Sequence, residues 1–430
     1  MVKIIGGGLA GCEAAWQLAN AGIKSCIYEM KPHKFTPAHH YSGLAELVCS
    51  NSLKASRHDS AAGLLKEEME TLGSLIVPCA KANAVEAGGA LAVDRERFSD
   101  MVTEKIHSHP LIEVIDEEVE TIPEGPVIIA TGPLTAGELA ENIRRMCGDY
   151  LSFFDAAAPI VTFESLDMDK VFFASRYDRG DADYINCPMN KEEYLAFYNA
   201  LITAESAPLK EFDKRDFKVY EGCMPVEVLA RRGEDTMRYG PLKPVGLTDK
   251  RTGKRPYAVV QLRKENAHGT MYNLVGFQTN LKFGEQKRVF SMITGLENAE
   301  FVRYGVMHRN SFIDSPKLLE PTYALKSNHD IFFAGQITGV EGYIESAASG
   351  IMAGINMARH LKNEEPLVLP AETMIGALTA YISGGCSGEF QPMGCNMGIL
   401  PDLPVRIKDK KAKYTAYADR AIEALNRTIK

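Results

Sequence analysis

Two cysteines and one glycine-rich turn are the residues whose type and setting could do chemistry. Cys49 stands where the apolar run Leu44-Ala45-Glu46-Leu47-Val48 gives way to Ser50-Asn51-Ser52, with Lys54 and Arg57 close behind. Nearby cations favour the thiolate, the reactive form of cysteine. Cys223 lies in Glu221-Gly222-Cys223-Met224-Pro225. The flanking Gly222 and Pro225 could fix an exposed turn, which is how a nucleophile is presented. Taken alone, each thiol reads at least as well as a small buried core residue. The third feature is Gly6-Gly7-Gly8-Leu9-Ala10-Gly11, a match to G-x-G-x-x-G.

That turn is informative because of what surrounds it. Val2-Lys3-Ile4-Ile5 predicts a short buried strand, Cys12 to Asn20 a helix of small residues, and Lys24 to Tyr28 a second strand ending at Glu29. Gly6 permits the tight turn, Gly8 lets backbone N–H groups approach a pyrophosphate, and Gly11 allows close helix–strand packing. Glu29 is placed to accept from a ribose hydroxyl. An ordinary βαβ turn is the plain alternative. Over a hundred residues later, Pro126-Val127-Ile128-Ile129-Ala130-Thr131-Gly132 reads as a strand ending in Ala-Thr-Gly. Such an ending is characteristic of flavoproteins with two dinucleotide-binding motifs, and it favours FAD over NAD as the resident cofactor. Ile331-Phe332-Phe333-Ala334-Gly335-Gln336 restores the same style; Gln336 stands where many such proteins place an acid on the ribityl chain, and its amide can still bond hydroxyls.

The expected fold is therefore α/β. A Rossmann-type FAD-binding domain of the two-dinucleotide-binding (glutathione-reductase-like) kind is built from residues 1–155 and 321–430, and an inserted α+β domain occupies 156–320. Helices are expected over Ser60–Leu72, after a cap near Asp94, after an Asn190/Glu193 capping box, and over Lys410–Thr428. Strands are expected over Phe217–Glu227, broken at Gly-Cys, over Met271–Gln278 and over Glu300–Val306.

At 430 residues the chain is too long for one core, and 45% hydrophobic with 24% charged residues is ordinary for a globular protein. No apolar run approaches the roughly 20 residues of a membrane span. A strand beginning at residue 2 leaves no room for a signal peptide. Nine cysteines without CxxC pairs or metal-type spacing argue for reduced thiols in the cytoplasm and against a disulfide framework or a metal site. A net charge of −8 argues against indiscriminate nucleic-acid binding, although a local basic face could still take RNA. Residues 231–264 form the most basic window, with Arg231, Arg232, Lys250, Arg251, Lys254 and Arg255 beside Arg238, Lys243, Arg263 and Lys264. Clustered cations with Tyr239 and Tyr257 among them suit a phosphate backbone and stacked bases, and equally a solvated loop.

Several blocks together resemble a known family: the first glycine-rich turn through Ala15, Tyr28-Glu29-Met30-Lys31-Pro32, Val48-Cys49-Ser50-Asn51-Ser52, Glu221-Gly222-Cys223-Met224-Pro225, Val275-Gly276-Phe277-Gln278-Thr279-Asn280-Leu281 and Met307-His308-Arg309-Asn310. They are similar to the folate- and FAD-dependent tRNA (uracil-5-)-methyltransferases, essentially end to end. The resemblance implies methylation of C5 of the T-loop uridine of tRNA, with carbon from 5,10-methylenetetrahydrofolate and hydride from reduced FAD recharged by NAD(P)H. By the family pattern Cys223 is the nucleophile and Cys49, near the flavin, is the base; the basic window is then the candidate holder of tRNA. No second G-x-G-x-x-G follows a strand, so folate and nicotinamide are expected to visit one flavin face in turn. Tyr343 is a candidate to stack near flavin or pterin, or simply to pack. Alternatives are the same chemistry on ribosomal RNA, a related wobble-uridine flavoprotein, a small-molecule FAD oxidoreductase, and a non-enzymatic flavin-bearing RNA-binding or redox-sensing protein.

Overall fold

The structure is a computed structural model that describes residues 1–149, 151–178, 182–207, 224–249, 252–385 and 390–429. Cys223, Lys250 and Arg251 lie outside the described residues.

Val2–Ile5, Ser25–Glu29 and Val127–Ile129 are almost wholly buried runs of β-branched and small residues, and they become neighbouring parallel strands. Ile4 pairs with Ile27 on one side and Ile128 on the other. The six-stranded sheet runs Ala324–Leu325, Asn328–Phe333, Val127–Ile129, Val2–Ile5, Ser25–Glu29, Ile112–Asp116, with only the first strand antiparallel. Chain order reverses at the central Val2–Ile5 strand, so the crevice for a ligand lies beyond its carboxyl end, where Gly6 begins.

Helix Leu9–Asn20 crosses helix Tyr343–Leu361 at glycines. A Cβ on Gly350 would sit 2.2 Å from Ala10 O, and one on Gly354 would sit 2.7 Å from Ala14 O. The small residues read from the sequence therefore serve helix–helix contact. Two acids work at long range: Glu13 accepts from Leu75 N and Ile76 N at 2.9 Å each, and Glu68 accepts from Met374 N at 2.7 Å and Ile375 N at 2.8 Å. Each carboxyl group thus accepts from the free N–H groups at the start of a helix, Ile76–Ala82 or Met374–Ala380.

The second six-stranded sheet is antiparallel, in the order Phe172–Phe173, Tyr184–Met189, Ala258–Lys264, Met271–Leu274, Ile160–Thr162, Phe301–Arg303. It has its own buried cluster, including Tyr194, Phe197, Phe277 and Phe290. The paired strands Leu151–Ala156 and Met307–Phe312 carry the chain out to it and back. A three-stranded sheet of Ser52–Ala55, Ala90–Val93 and Ala84–Val85, unforeseen from the sequence, lies on the first lobe.

The capping box at Asn190 and Glu193 forms, and Ser60 and Asp94 cap their helices. Two expectations are corrected. The strand read through Val226 and Glu227 is instead helix Val226–Ala230 at that point, because Glu227 turns back to accept from Thr279 Oγ1 and Asn280 N at 2.8 Å each. Residues 275–278 leave the Met271–Leu274 strand at Gly276, where φ is +79°. The chain enters the Tyr343–Leu361 helix through Gly342, whose φ is +120°.

Candidate active site

The glycine-rich turn forms a cradle. Gly6 has φ of +103°, and a Cβ there would lie 2.6 Å from Ala130 O on the neighbouring strand; one on Gly11 would lie 1.9 Å from Gly6 O. Both glycines are therefore required by packing of the turn on itself. Gly8 differs: its φ is −74°, and a Cβ would meet nothing within 4 Å. The open side of the turn is thus at Gly8, the N-cap of a helix with no side-chain cap. Free N–H groups and the helix dipole there suit a pyrophosphate. Glu29, buried, accepts from Gly7 N at 2.8 Å and from Lys31 N at 3.1 Å. It holds the turn, and its remaining lone pairs can accept from ribose hydroxyls. Gly335, φ +84°, abuts Ala10 with a notional Cβ 3.2 Å from Ala10 Cβ, and its N–H donates to Ser349 Oγ at 2.7 Å. Gly132, φ +72°, faces open space. These residues fit FAD as the dinucleotide.

Cys49 is tied to this cradle. Ala45 N donates to Gly7 O at 2.9 Å, four residues before the thiol. Tyr343, first residue of its helix, accepts from Cys49 N at 2.7 Å and Ser50 N at 3.2 Å, and donates to Cys49 Sγ at 3.2 Å. Burial, with the sulfur close by, pushes the phenol proton affinity of Tyr343 far up, so the hydroxyl stays a donor.

Three guanidinium groups grip the same segment. Arg95 Nη1 donates to Leu47 O at 2.7 Å, Arg303 Nη2 to Val48 O at 2.5 Å, and Arg263 Nη2 to Ser50 Oγ at 2.8 Å. Arg263 Nε also reaches Asn51 Oδ1 at 3.0 Å, while Asn51 Nδ2 donates to Val93 O and Lys264 O. Asn51, wholly buried, thereby joins the small sheet to the second lobe. Arg95 also forms a buried ion pair with Glu265. Burial pulls the proton affinities of Arg263 and Arg303 downward, yet an arginine keeps its proton, so the sulfur stands in a cationic setting. The expectation that Lys54 and Arg57 supply this charge is corrected. Lys54 Nζ is turned to Glu345 Oε1 at 2.5 Å, and Arg57 pairs with Asp59 at 3.3 Å.

The chain matches the family described as "Glucose inhibited division protein A" over residues 1–365. It is 60% identical over 430 residues to the methylenetetrahydrofolate–tRNA-(uracil-5-)-methyltransferase TrmFO of Acetivibrio thermocellus, covering 100% of this chain and 98% of that protein. It is 59% identical over 427 residues to the protein of the same name from Listeria innocua, covering 99% and 98%. The chain belongs to the methylenetetrahydrofolate–tRNA-(uracil-5-)-methyltransferase family. Among solved structures, GidA of Aquifex aeolicus superposes with a TM-score of 0.71 at 17% identity, covering 99% of this chain and 73% of that one, which shows a shared fold.

The other candidate residues of this methyltransferase-family chain are scattered more widely. Gln336 opens a short turn, and its amide donates to Glu341 Oε2 at 2.5 Å rather than standing free. Arg231, Arg232, Lys254 and Arg255 are exposed on the second lobe. Part of the basic window is internal: Arg263 holds Asn51, and Arg238 lies 3.6 Å over the Tyr257 ring and pairs with Asp235. Cys12, Cys79 and Cys187 are buried thiols whose proton affinity burial raises. Among the described residues there is no cluster that could hold a metal ion, and no helix is long and apolar enough to cross a membrane.

Sequence reasoning missed Arg95, Arg303 and Asn280. Asn280 anchors the chain on both sides of 208–223: Ala207 N donates to its O at 2.7 Å, its Nδ2 donates to Ala207 O at 3.2 Å, and its N–H donates to Glu227. The Gln278-Thr279-Asn280 block was the available signal, since uncharged polar residues between apolar ones suggest backbone anchors.

Proposed function

We propose that this chain methylates C5 of the T-loop uridine of tRNA, giving 5-methyluridine. The carbon comes from 5,10-methylenetetrahydrofolate, FAD occupies the cradle, and NAD(P)H is the reductant. The observation that carries this reading is Cys49, held by Tyr343 in a cationic setting one short segment from the cradle. When bound, FAD supplies the hydride that completes the methyl group.

Uracil C5 is a poor nucleophile until a thiolate adds at C6. Cys223, nucleophile by the family pattern, forms that S–C6 bond, and the C5=C6 electrons move to the C4 oxygen as an enolate. The enolate bonds through C5 to the folate one-carbon group. Cys49 then takes the C5 proton; its sulfur is suited to this by the cations around it, and the Tyr343 hydroxyl steadies it by donation. Elimination of tetrahydrofolate leaves a methylene on C5, and after hydride addition the Cys223 thiolate departs from C6. The target base is extruded from its stack to reach the site. Exposed Arg231, Arg232, Lys254 and Arg255, with Lys250 and Arg251, are proposed to hold the tRNA backbone. Folate and NAD(P)H are proposed to visit one face in turn. Residues 1–155 with 321–430 are proposed as the FAD-binding domain and 156–320 as the tRNA-facing one. The described cysteines are all free, in keeping with a cytoplasmic setting.

The test is incubation of unmodified tRNA with labelled methylenetetrahydrofolate and NAD(P)H, without S-adenosylmethionine. Label in 5-methyluridine of the T-loop is expected; label only in ribosomal RNA would redirect the reading. Cys223→Ala is expected to abolish covalent trapping on 5-fluorouracil-substituted tRNA, and trapping that persists without that thiol would falsify its role.

A further inference from the structure

A second cationic surface lies at the start of the C-terminal helix. Arg406, Lys408, Lys410, Lys411 and Lys413 fall within eight consecutive positions at the start of helix Lys410–Thr428, against one acid, Asp409. That carboxylate is engaged as the helix cap, accepting from Ala412 N at 2.8 Å. Arg406, Lys408, Lys410 and Lys411 are exposed, and among the described residues none of the five cations pairs with a carboxylate. Lys410 lies 5.4 Å over the ring of Tyr414, an aromatic on the same turn.

The start of a helix is its positive end, where cations destabilise and acids stabilise. This helix has no acid in its first turn and three lysines there. In a chain of net charge −8, such a placement works against the helix and calls for an anionic partner to offset it.

The position fits the substrate. The helix packs on Ala61–Thr71 through buried Tyr417, Ala418 and Ala421, and Asp419 meets His58 Nε2 at 3.0 Å. His58 follows Cys49 by nine residues. The chain that leads into the helix leaves the site at Cys395, whose N–H donates to Glu345 Oε1 at 2.9 Å, two residues after Tyr343.

We propose that the lysine-rich start of the Lys410–Thr428 helix binds the phosphate backbone of the tRNA whose base is at Cys49. This rests on the proposed function. The exposed cations Lys254 and Arg255 belong to the second lobe, so the helix start would add a separate phosphate-binding surface to theirs.

The experiment uses the full-length FAD-loaded protein carrying Lys408→Glu, Lys410→Glu and Lys411→Glu together, with the corresponding Lys→Gln variant as a neutral partner. Binding of unmodified tRNA is measured between 50 and 200 mM salt, a range of about fourfold over which phosphate contacts are diagnostic. The acidic variant is expected to lose roughly tenfold or more in affinity, with a log–log salt slope shallower by about 2. The neutral variant should show a smaller loss. Flavin content should hold, and the thermal midpoint should stay level or rise, because acids suit that end of a helix. Unchanged affinity and slope with intact flavin overturn the inference. Loss of binding to phosphatidylserine vesicles with tRNA affinity retained also overturns it, in favour of a membrane surface. Wild-type protein that does not bind tRNA overturns the proposed function together with this inference; wild-type binding matched by the variant overturns this inference alone.

Discussion

The hydroxyl of Tyr343 accepts from the backbone N–H groups of Cys49 and Ser50 and donates its one proton to Cys49 Sγ. Its oxygen is thereby saturated, and the thiol is held at both its backbone and its sulfur. Tyr343→Phe leaves two N–H groups without this acceptor, a cost of about 1–3 kcal/mol for a buried group. The expected outcome is a folded protein with its full flavin complement and a methylation rate down roughly 100-fold, as for a catalytic group misplaced by about 1 Å. A wild-type rate would remove Tyr343 from the mechanism.

Arg303 holds Val48 O and places a cation beside the neighbouring thiol. Arg303→Met keeps most of the side chain's length and deletes the charge. Alkylation of Cys49 by iodoacetamide near pH 7 is expected to slow roughly tenfold, about what one nearby unit charge does. Mass spectrometry of the Cys49 peptide reads this directly. An equal rate in wild type and variant means that the guanidinium only positions the backbone.

Gly8 and Gly11 share a motif and serve it differently. A methyl group at Gly8 points into open space from an unstrained backbone, while at Gly11 it would overlap Gly6 O. Gly8→Val should therefore melt like wild-type apoprotein yet purify without bound FAD. Gly11→Ala should lose about 3 kcal/mol or more of stability, in the range of severe overpacking. Calorimetry and the flavin absorbance distinguish the two, and loss of fold at Gly8 would contradict the open side of the cradle.

Glu68 is wholly buried, and burial raises its carboxyl from 4.5 to about 8 against the pull of two backbone N–H donors. A raised carboxyl means that the folded state keeps its proton over a range in which the unfolded chain has lost it. Its contribution is therefore complete below pH 4.5 and declines as pH rises towards about 8, by at most about 1.4 kcal/mol per unit. Urea unfolding of wild type and Glu68→Gln at pH 5, 6 and 7 should show the difference shifting in the variant's favour as pH rises. A difference independent of pH would refute the assignment.

Much of the fold was legible because it is written in short-range terms. Caps at Ser60, Asp94 and Asn190 lie within three residues of the N–H groups they serve, so spacing alone places them. The opening βαβ unit is equally local. The helical conformation of Val226 and Glu227 was not legible, because Thr279 and Asn280 decide it from more than fifty residues away. The small sheet around Ala90–Val93 is built from strands of two to four residues, too short to show a period.

For the site, the sequence alone determined the glycine cradle, Glu29 and the candidacy of Cys49, since each rests on residue type and spacing within about thirty positions. Only the tertiary structure decided which charges surround the thiol. Lys54, nearby in sequence, turns away to Glu345, while Arg263 and Arg303 arrive from the other lobe and Tyr343 from a helix 294 residues on. Electrostatic influence depends on distance through space, and folding rearranges which charges are close.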